Sequence, residues 1–152
     1  GKNMENNDYP ALINEKFDFL FAQYGFTMTK STFDKLTCPV YRLTSPSENF
    51  LFLLGRGLCT ILFWPDSDSE ENALTTDWLY DYHNHDSSQK ISDDLLAVGE
   101  TENIAKCLTE HRNKILEMKD LLLTPNHDWW ESAKVYVEKR IELMTKKLTG
   151  SS

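Results

Sequence analysis

Apolar positions along this chain keep two different periods. From Leu12 to Tyr24 they recur every three or four residues, through Ile13, Phe17, Leu20 and Phe21. That spacing lays one wide apolar face on a helix. Asp8 is placed to cap its start, Pro10 suits its first turn, and Gly25 can end it in a left-handed conformation. Residues 26–33 and 39–44 then alternate in the manner of strands, and Pro39 fits only the start of the second. Asp34-Lys35 is expected to turn between them, and Ser45 to Asn49 is a cluster of turn formers.

The strongest strand signal runs from Phe50 to Trp64, where two apolar runs flank Gly55-Arg56-Gly57. Glycines at both sides of the tip supply positive φ angles, so the pattern predicts a hairpin with Arg56 exposed. The uninterrupted apolar run Phe50–Leu54 predicts burial on both faces, hence an interior strand. Leu74 to Tyr82 fits either a turn of amphipathic helix or a short edge strand. Ser92 caps a short helix stopped by Gly99, and Thr101 caps a long one whose seam is Ile104, Leu108, His111, Ile115, Met118 and Leu122. After Thr124-Pro125 a last helix carries Trp130, Ala133, Val137, Ile141, Met144 and Leu148.

These elements predict an α+β fold. An N-terminal helix is followed by an antiparallel meander of three or four strands, and a C-terminal antiparallel helical pair covers one face of the sheet. Residues 8–149 form a single domain in this reading, 66–102 is an acidic connecting segment, and 1–7 and 150–152 are flexible termini. The length, 152 residues, is enough for a core without cross-links. No apolar run nears the roughly 20 residues a membrane helix needs. No basic start and apolar stretch marks an export signal, so a cytoplasmic location is expected, a removed targeting segment being the alternative.

Charge changes the picture more than composition does. Sixteen bases against 24 acids leave a net charge of −8. Residues 66–102 hold 11 of those acids and one base, Lys90, while the rest holds 13 acids and 15 bases. Such a field opposes nucleic-acid binding, which needs a basic surface. It favours a basic protein partner and speeds its approach. The carboxylates expected to meet that partner are Asp66, Asp68, Glu70, Glu71, Asp77, Asp81 and Asp86. Trp78 and Tyr82 are the expected apolar anchors.

Chemistry-bearing motifs are few. His83-Asn84-His85-Asp86 puts two imidazoles two residues apart, so on a strand both could reach one cation, with Asp81, Asp86, His111 or His127 as further ligands. Cys38, Cys59 and Cys107 are widely spaced and read as buried small hydrophobes of a reducing compartment. No serine lies in a Gly-x-Ser-x-Gly turn, and Gly55-Arg56-Gly57 lacks the remainder of a phosphate loop. The expectation is therefore a non-enzymatic protein without catalytic residues or cofactor. A His83/His85 metal site or hydrolase, and a homodimer paired through the helical seams, are the alternatives. A monomer or weak homodimer is expected.

Residues 17–26, Phe-Asp-Phe-Leu-Phe-Ala-Gln-Tyr-Gly-Phe, resemble the start of a group of small bacterial proteins with no assigned activity. Further matching places are Tyr24-Gly25-Phe26, Arg56-Gly57, Asp77-Trp78-Leu79 and the long polar-faced helix from Asn103 to Asp120. The resemblance covers most of residues 12–148. The acidic middle and the His83–Asp86 run depart from it. The order of elements is also similar to that of bacterial immunity proteins, which neutralise a toxin by covering it. That likeness implies a binding role toward a basic, toxin-like protein.

Overall fold

The computed structural model describes residues 8–32, 39–55, 57–84 and 103–150. Its N-terminal stripe forms two short helices, α1 (Tyr9–Lys16) and α2 (Asp18–Tyr24), where one was expected. Phe17 leaves helical geometry at φ −119°, ψ 28°, yet its N–H still bonds to the Ile13 carbonyl. The bend keeps Ile13, Phe17 and Leu20 fully buried. No glycine or proline marks it in the sequence. Gly25, at φ 73°, closes α2, and the Phe26 N–H returns to the Leu20 carbonyl at 3.1 Å. A Cβ on Gly25 would meet nothing within 4 Å. Gly25→Ala is therefore expected to cost only the left-handed conformation, about 1 kcal/mol, read as a lowered urea midpoint with an unchanged slope.

The sheet is an antiparallel meander in the order β1 (Thr27–Thr32), β2 (Pro39–Thr44), β3 (Glu48–Gly55), β4 (Leu58–Pro65), β5 (Leu74–Thr75). The α+β class and the meander are as expected, with a two-residue fifth strand added at the edge. β3 is the middle strand and is buried on both faces, with Phe50, Phe52 and Leu54 at 0% exposure and Leu51, on the opposite side, at 1%. It starts at Glu48, two residues earlier than the turn chemistry implied. Gly55 (φ 118°) and Gly57 (φ 82°) carry the hairpin. Arg56, Asp34-Lys35 and the helix expected between Ser92 and Gly99 lie outside the described residues.

Register puts Phe50 opposite Phe63, Phe52 opposite Ile61 and Leu54 opposite Cys59. Helices cover this face. Phe17 meets Phe52 edge-on at 5.0 Å, Phe26 lies 5.5 Å from Phe50, and Trp130 lies 5.8 Å from Phe63. One buried cluster joins α1, α2, the sheet and the C-terminal helices.

The ambiguous stretch 74–82 uses both of its options. Leu74–Thr75 pairs with β4 as β5, and the chain turns directly into helix α3 (Thr76–His83). Thr75 caps it, its Oγ1 accepting the Trp78 N–H at 3.2 Å. Helix α4 (Ile104–Glu117) is capped by Asn103, whose Oδ1 accepts the Lys106 N–H at 2.9 Å; the expected cap, Thr101, is outside the described residues. All six positions of its seam are buried, Met118 at the break that ends the helix and Leu122 beyond it in α5 (Lys119–Leu122). Helix α6 (Trp130–Thr149) buries Trp130, Ala133, Val137 and Met144. Ile141 and Leu148, expected on the same stripe, are exposed at 38% and 69%. α3 packs against both α4 and α6. No helix among the described residues is long and apolar enough to cross a membrane.

Candidate functional site

Residues 66–84 of the acidic segment are described, and four of the six acids there are met by bases inside the protein. β4 ends at Pro65, and the Asp66 N–H bonds to the Ser47 carbonyl at 2.9 Å, which ties the segment to the β2–β3 turn. Asp68 is a four-donor acceptor. Its Oδ1 takes the Ser69 N–H and the Asn72 amide, each at 2.8 Å. Its Oδ2 takes the Trp130 indole N–H at 2.6 Å and the Lys134 ammonium at 2.7 Å. Burial alone would raise this carboxyl, but the Asn72, Lys134, Trp130 and Ser69 hydrogen bonds hold it well below the usual carboxylate range. Glu70 pairs with Arg42 at 2.7 Å. Asp77 pairs with Lys114 at 2.8 Å, and Asp81 accepts from Tyr136 Oη at 2.8 Å and Arg140 Nε at 3.3 Å.

The predicted anchors divide. Trp78 is 6% exposed and lies under α6 with Val137 and Met144. Tyr82 is half-buried beside Trp129 and Tyr136, at 6.2 and 5.4 Å between ring centres. Glu71 is exposed. His83 is exposed at the end of α3, and its expected companions His85 and Asp86 lie outside the described residues.

Asp66 stands elsewhere. With Pro46, Ser47, Ser67, Pro125, His127 and Asp128 it lines a surface recess of about 300 Å³. Asp66 and Asp128 are exposed, and among the described residues no cation pairs with either. Behind them sits a buried pair. His127 Nε2 is 3.2 Å from Glu48 Oε2 and 3.2 Å from the Leu122 carbonyl. With the Nε2 proton given to Leu122, Glu48 Oε2 has no hydrogen bond of its own. Glu48 Oε1 accepts from Ser45 Oγ at 3.0 Å. Burial pushes Glu48 up, and the contacts with Ser45 and His127 recover only part of that rise. The recess is thus lined by two exposed carboxylates and by His127, which contacts the buried Glu48.

A second group gathers on the helical face of the sheet. Cys59 projects from β4, while Cys107 and His111 stand one turn apart on α4. One potential ligand atom from each lies within 4.8 Å of the others. His111 Nε2 is 3.1 Å, and Cys107 Sγ 3.6 Å, from the same Cys59 carbonyl oxygen. On its other side, His111 Nδ1 faces Thr76 Oγ1 at 3.4 Å and Asp77 Oδ1 at 3.9 Å. The contact with Cys59 lowers the Cys107 thiol, as does His111, against the effect of burial. Cys59 is raised in turn, by Cys107 first and then by burial. Burial opposes the charged form of His111, but Cys107 and Asp77 outweigh it and raise the imidazole.

Two of these features went unread in the sequence. Glu48 sits among turn formers, so nothing local marks it as a buried carboxylate. Cys107 and His111 are four residues apart on a predicted helix, which is a legible signal, but Cys59 joins them only through the register of β4. No family model, curated protein or solved structure matches this chain.

Proposed function

We propose that the protein is a non-enzymatic binding module of the bacterial immunity type, which receives a basic side chain of a toxin-like protein partner in the recess beside Asp66 and Asp128. The observation that carries this reading is the placing of two exposed carboxylates, neither paired with a cation among the described residues, around one concavity of about 300 Å³. That volume is at the small end of ligand pockets, roughly 300–1,000 Å³, and suits one lysine or arginine side chain. A net charge of −8 steers a basic partner toward it. Glu71, exposed in the same segment, adds to the acidic field. Asp68, Glu70, Asp77 and Asp81 contribute to the field while their bases hold the segment in place. Tyr82, half-buried, is the remaining candidate for an apolar contact, whereas Trp78 is buried under α6. Cysteines without paired spacing agree with a reducing compartment such as the cytoplasm.

Parallel capture from native lysate at low salt tests the reading, with wild type and the Asp66→Asn/Asp128→Asn double variant as baits. Wild type is expected to retain a basic protein that salt elutes and that the variant binds poorly. With that partner purified, the double variant should associate about tenfold more slowly and with a weaker salt dependence. Equal retention by both baits, or no basic protein on either, rejects the proposal.

A further inference from the structure

We propose that Cys59, Cys107 and His111 bind one zinc-class divalent ion, which clamps α4 onto β4. This site is separate from the recess and would stand whether or not the partner-binding reading does. The ligand set is two sulfurs and one imidazole, the donors that a borderline-soft ion such as Zn²⁺ selects. Their atoms lie within 4.8 Å of one another. Zinc holds sulfur and nitrogen at about 2.0–2.3 Å, so rotation of the Cys107 side chain, on the less buried of the two cysteines, is the main adjustment required.

The surroundings favour one orientation of the ring. Nδ1 faces Asp77 and Thr76, and Asp77 is itself held by Lys114 at 2.8 Å. Thr76 Oγ1, 3.4 Å from Nδ1, can accept its proton while the Asp77 carboxylate lies 3.9 Å away, and a proton held on Nδ1 leaves Nε2 free to ligate, as behind many zinc-bound histidines. Nε2 faces the Cys59 carbonyl, which Cys107 Sγ also approaches. The ion would enter between them, with that carbonyl oxygen or a water as fourth donor. Binding exchanges the two thiol protons for the ion; both protons go to solvent, and nothing is oxidised or reduced. Cys59 and His111 are 8% and 6% exposed. A site closed in this way is structural, since a catalytic ion needs an open position.

Cobalt reports on the site directly. The full chain, reduced and stripped with chelator, is titrated with Co²⁺ and then with Zn²⁺. One cobalt per chain is expected, with thiolate-to-cobalt charge-transfer absorption in the near ultraviolet and the strong visible bands of tetrahedral cobalt, both erased by zinc. Cys38→Ala keeps the signal. Cys107→Ala and His111→Gln lose the tetrahedral signature, with folding checked by circular dichroism. Asp77→Asn removes a nearby charge rather than a direct hydrogen bond and weakens binding by less than about tenfold. Zinc raises the Tm of wild type and of Cys38→Ala but not of Cys107→Ala. Should His111→Gln fail to fold, Cys107→Ala decides, because it removes one small, partly exposed side chain. No charge-transfer band in folded wild type, an equal band in Cys107→Ala, or a Cys59–Cys107 disulfide that persists under reductant and excludes the ion would each overturn the proposal.

Discussion

Asp68→Ala is expected to lower the unfolding free energy by about 3 kcal/mol at neutral pH. The magnitude follows from what the carboxylate holds. Hydrogen bonds to a charged group are worth about 1.5–3 kcal/mol, and a buried donor left alone costs about 1–3 kcal/mol. Asp68 takes four donors, and one of them, the Trp130 indole, belongs to a residue only 2% exposed. The Lys134 contribution is partly screened, since that side chain is 24% exposed, so salt should reduce the effect without removing it. Asp68→Asn keeps an acceptor near Trp130 and should cost less than half as much.

The pH dependence has a definite sign. Asp68 is ordinarily half-protonated at 3.8, and the fold lowers that value. Its stabilisation is therefore complete above the unfolded value and is lost as the pH falls through the folded one. The gap between wild type and Asp68→Ala in urea denaturation should be widest above about pH 5 and shrink steadily toward pH 2. A constant gap across that range would mean that Asp68 acts through packing rather than through its charge.

Phe63→Ala has the largest expected effect, a loss of about 4 kcal/mol. Phe63 is fully buried at the junction of sheet and C-terminal helices. Its ring lies 5.2 Å from Phe50, 5.8 Å from Trp130, 6.1 Å from His127 and 6.2 Å from Trp129, stacked with the last. Truncation opens a cavity and removes aromatic contacts worth about 0.5–1.5 kcal/mol per pair. Phe63→Leu should cost less than half as much, because it refills most of the volume. Near-ultraviolet circular dichroism should change in both variants, since Trp129 and Trp130 lose their neighbour. On the proposed function, binding at the recess should weaken too, although no acid is altered, because His127, which lines the recess, lies against this ring. An unchanged near-ultraviolet spectrum would place the tryptophans outside the influence of Phe63.

Local chemistry explains how much of this was legible in advance. The Phe50–Trp64 hairpin could be read because an unbroken apolar run and two glycines act over a few residues. Leu74–Tyr82 could not be assigned, since nine residues are too few to separate periods when both conformations occur in them. The α6 stripe showed which side of the helix is apolar but not how far its neighbour reaches, so Ile141 and Leu148 emerge into solvent. The acids after β4 were legible as a charge block. Their partners were not, because Trp130 and Lys134 follow Asp68 by 62 and 66 residues. The recess likewise needs Ser47, Asp66 and Asp128 from three separate turns, a juxtaposition that only the folded sheet creates.

Those separations give the molecule a direction in time. A chain made from its N-terminus has its four-stranded hairpin array in hand by Pro65, and Arg42 is already waiting for Glu70. Asp77 must wait 37 residues for Lys114, Asp81 must wait 59 for Arg140, and Asp68 must wait 66 for Lys134. Until the last helix has emerged, the nascent protein carries Asp68 and Asp81 without their bases and leaves Trp78 without its cover from Val137 and Met144. The C-terminal helix is thus the latch of the fold, and a chain clipped near residue 128 would remain an acidic, open-sided intermediate.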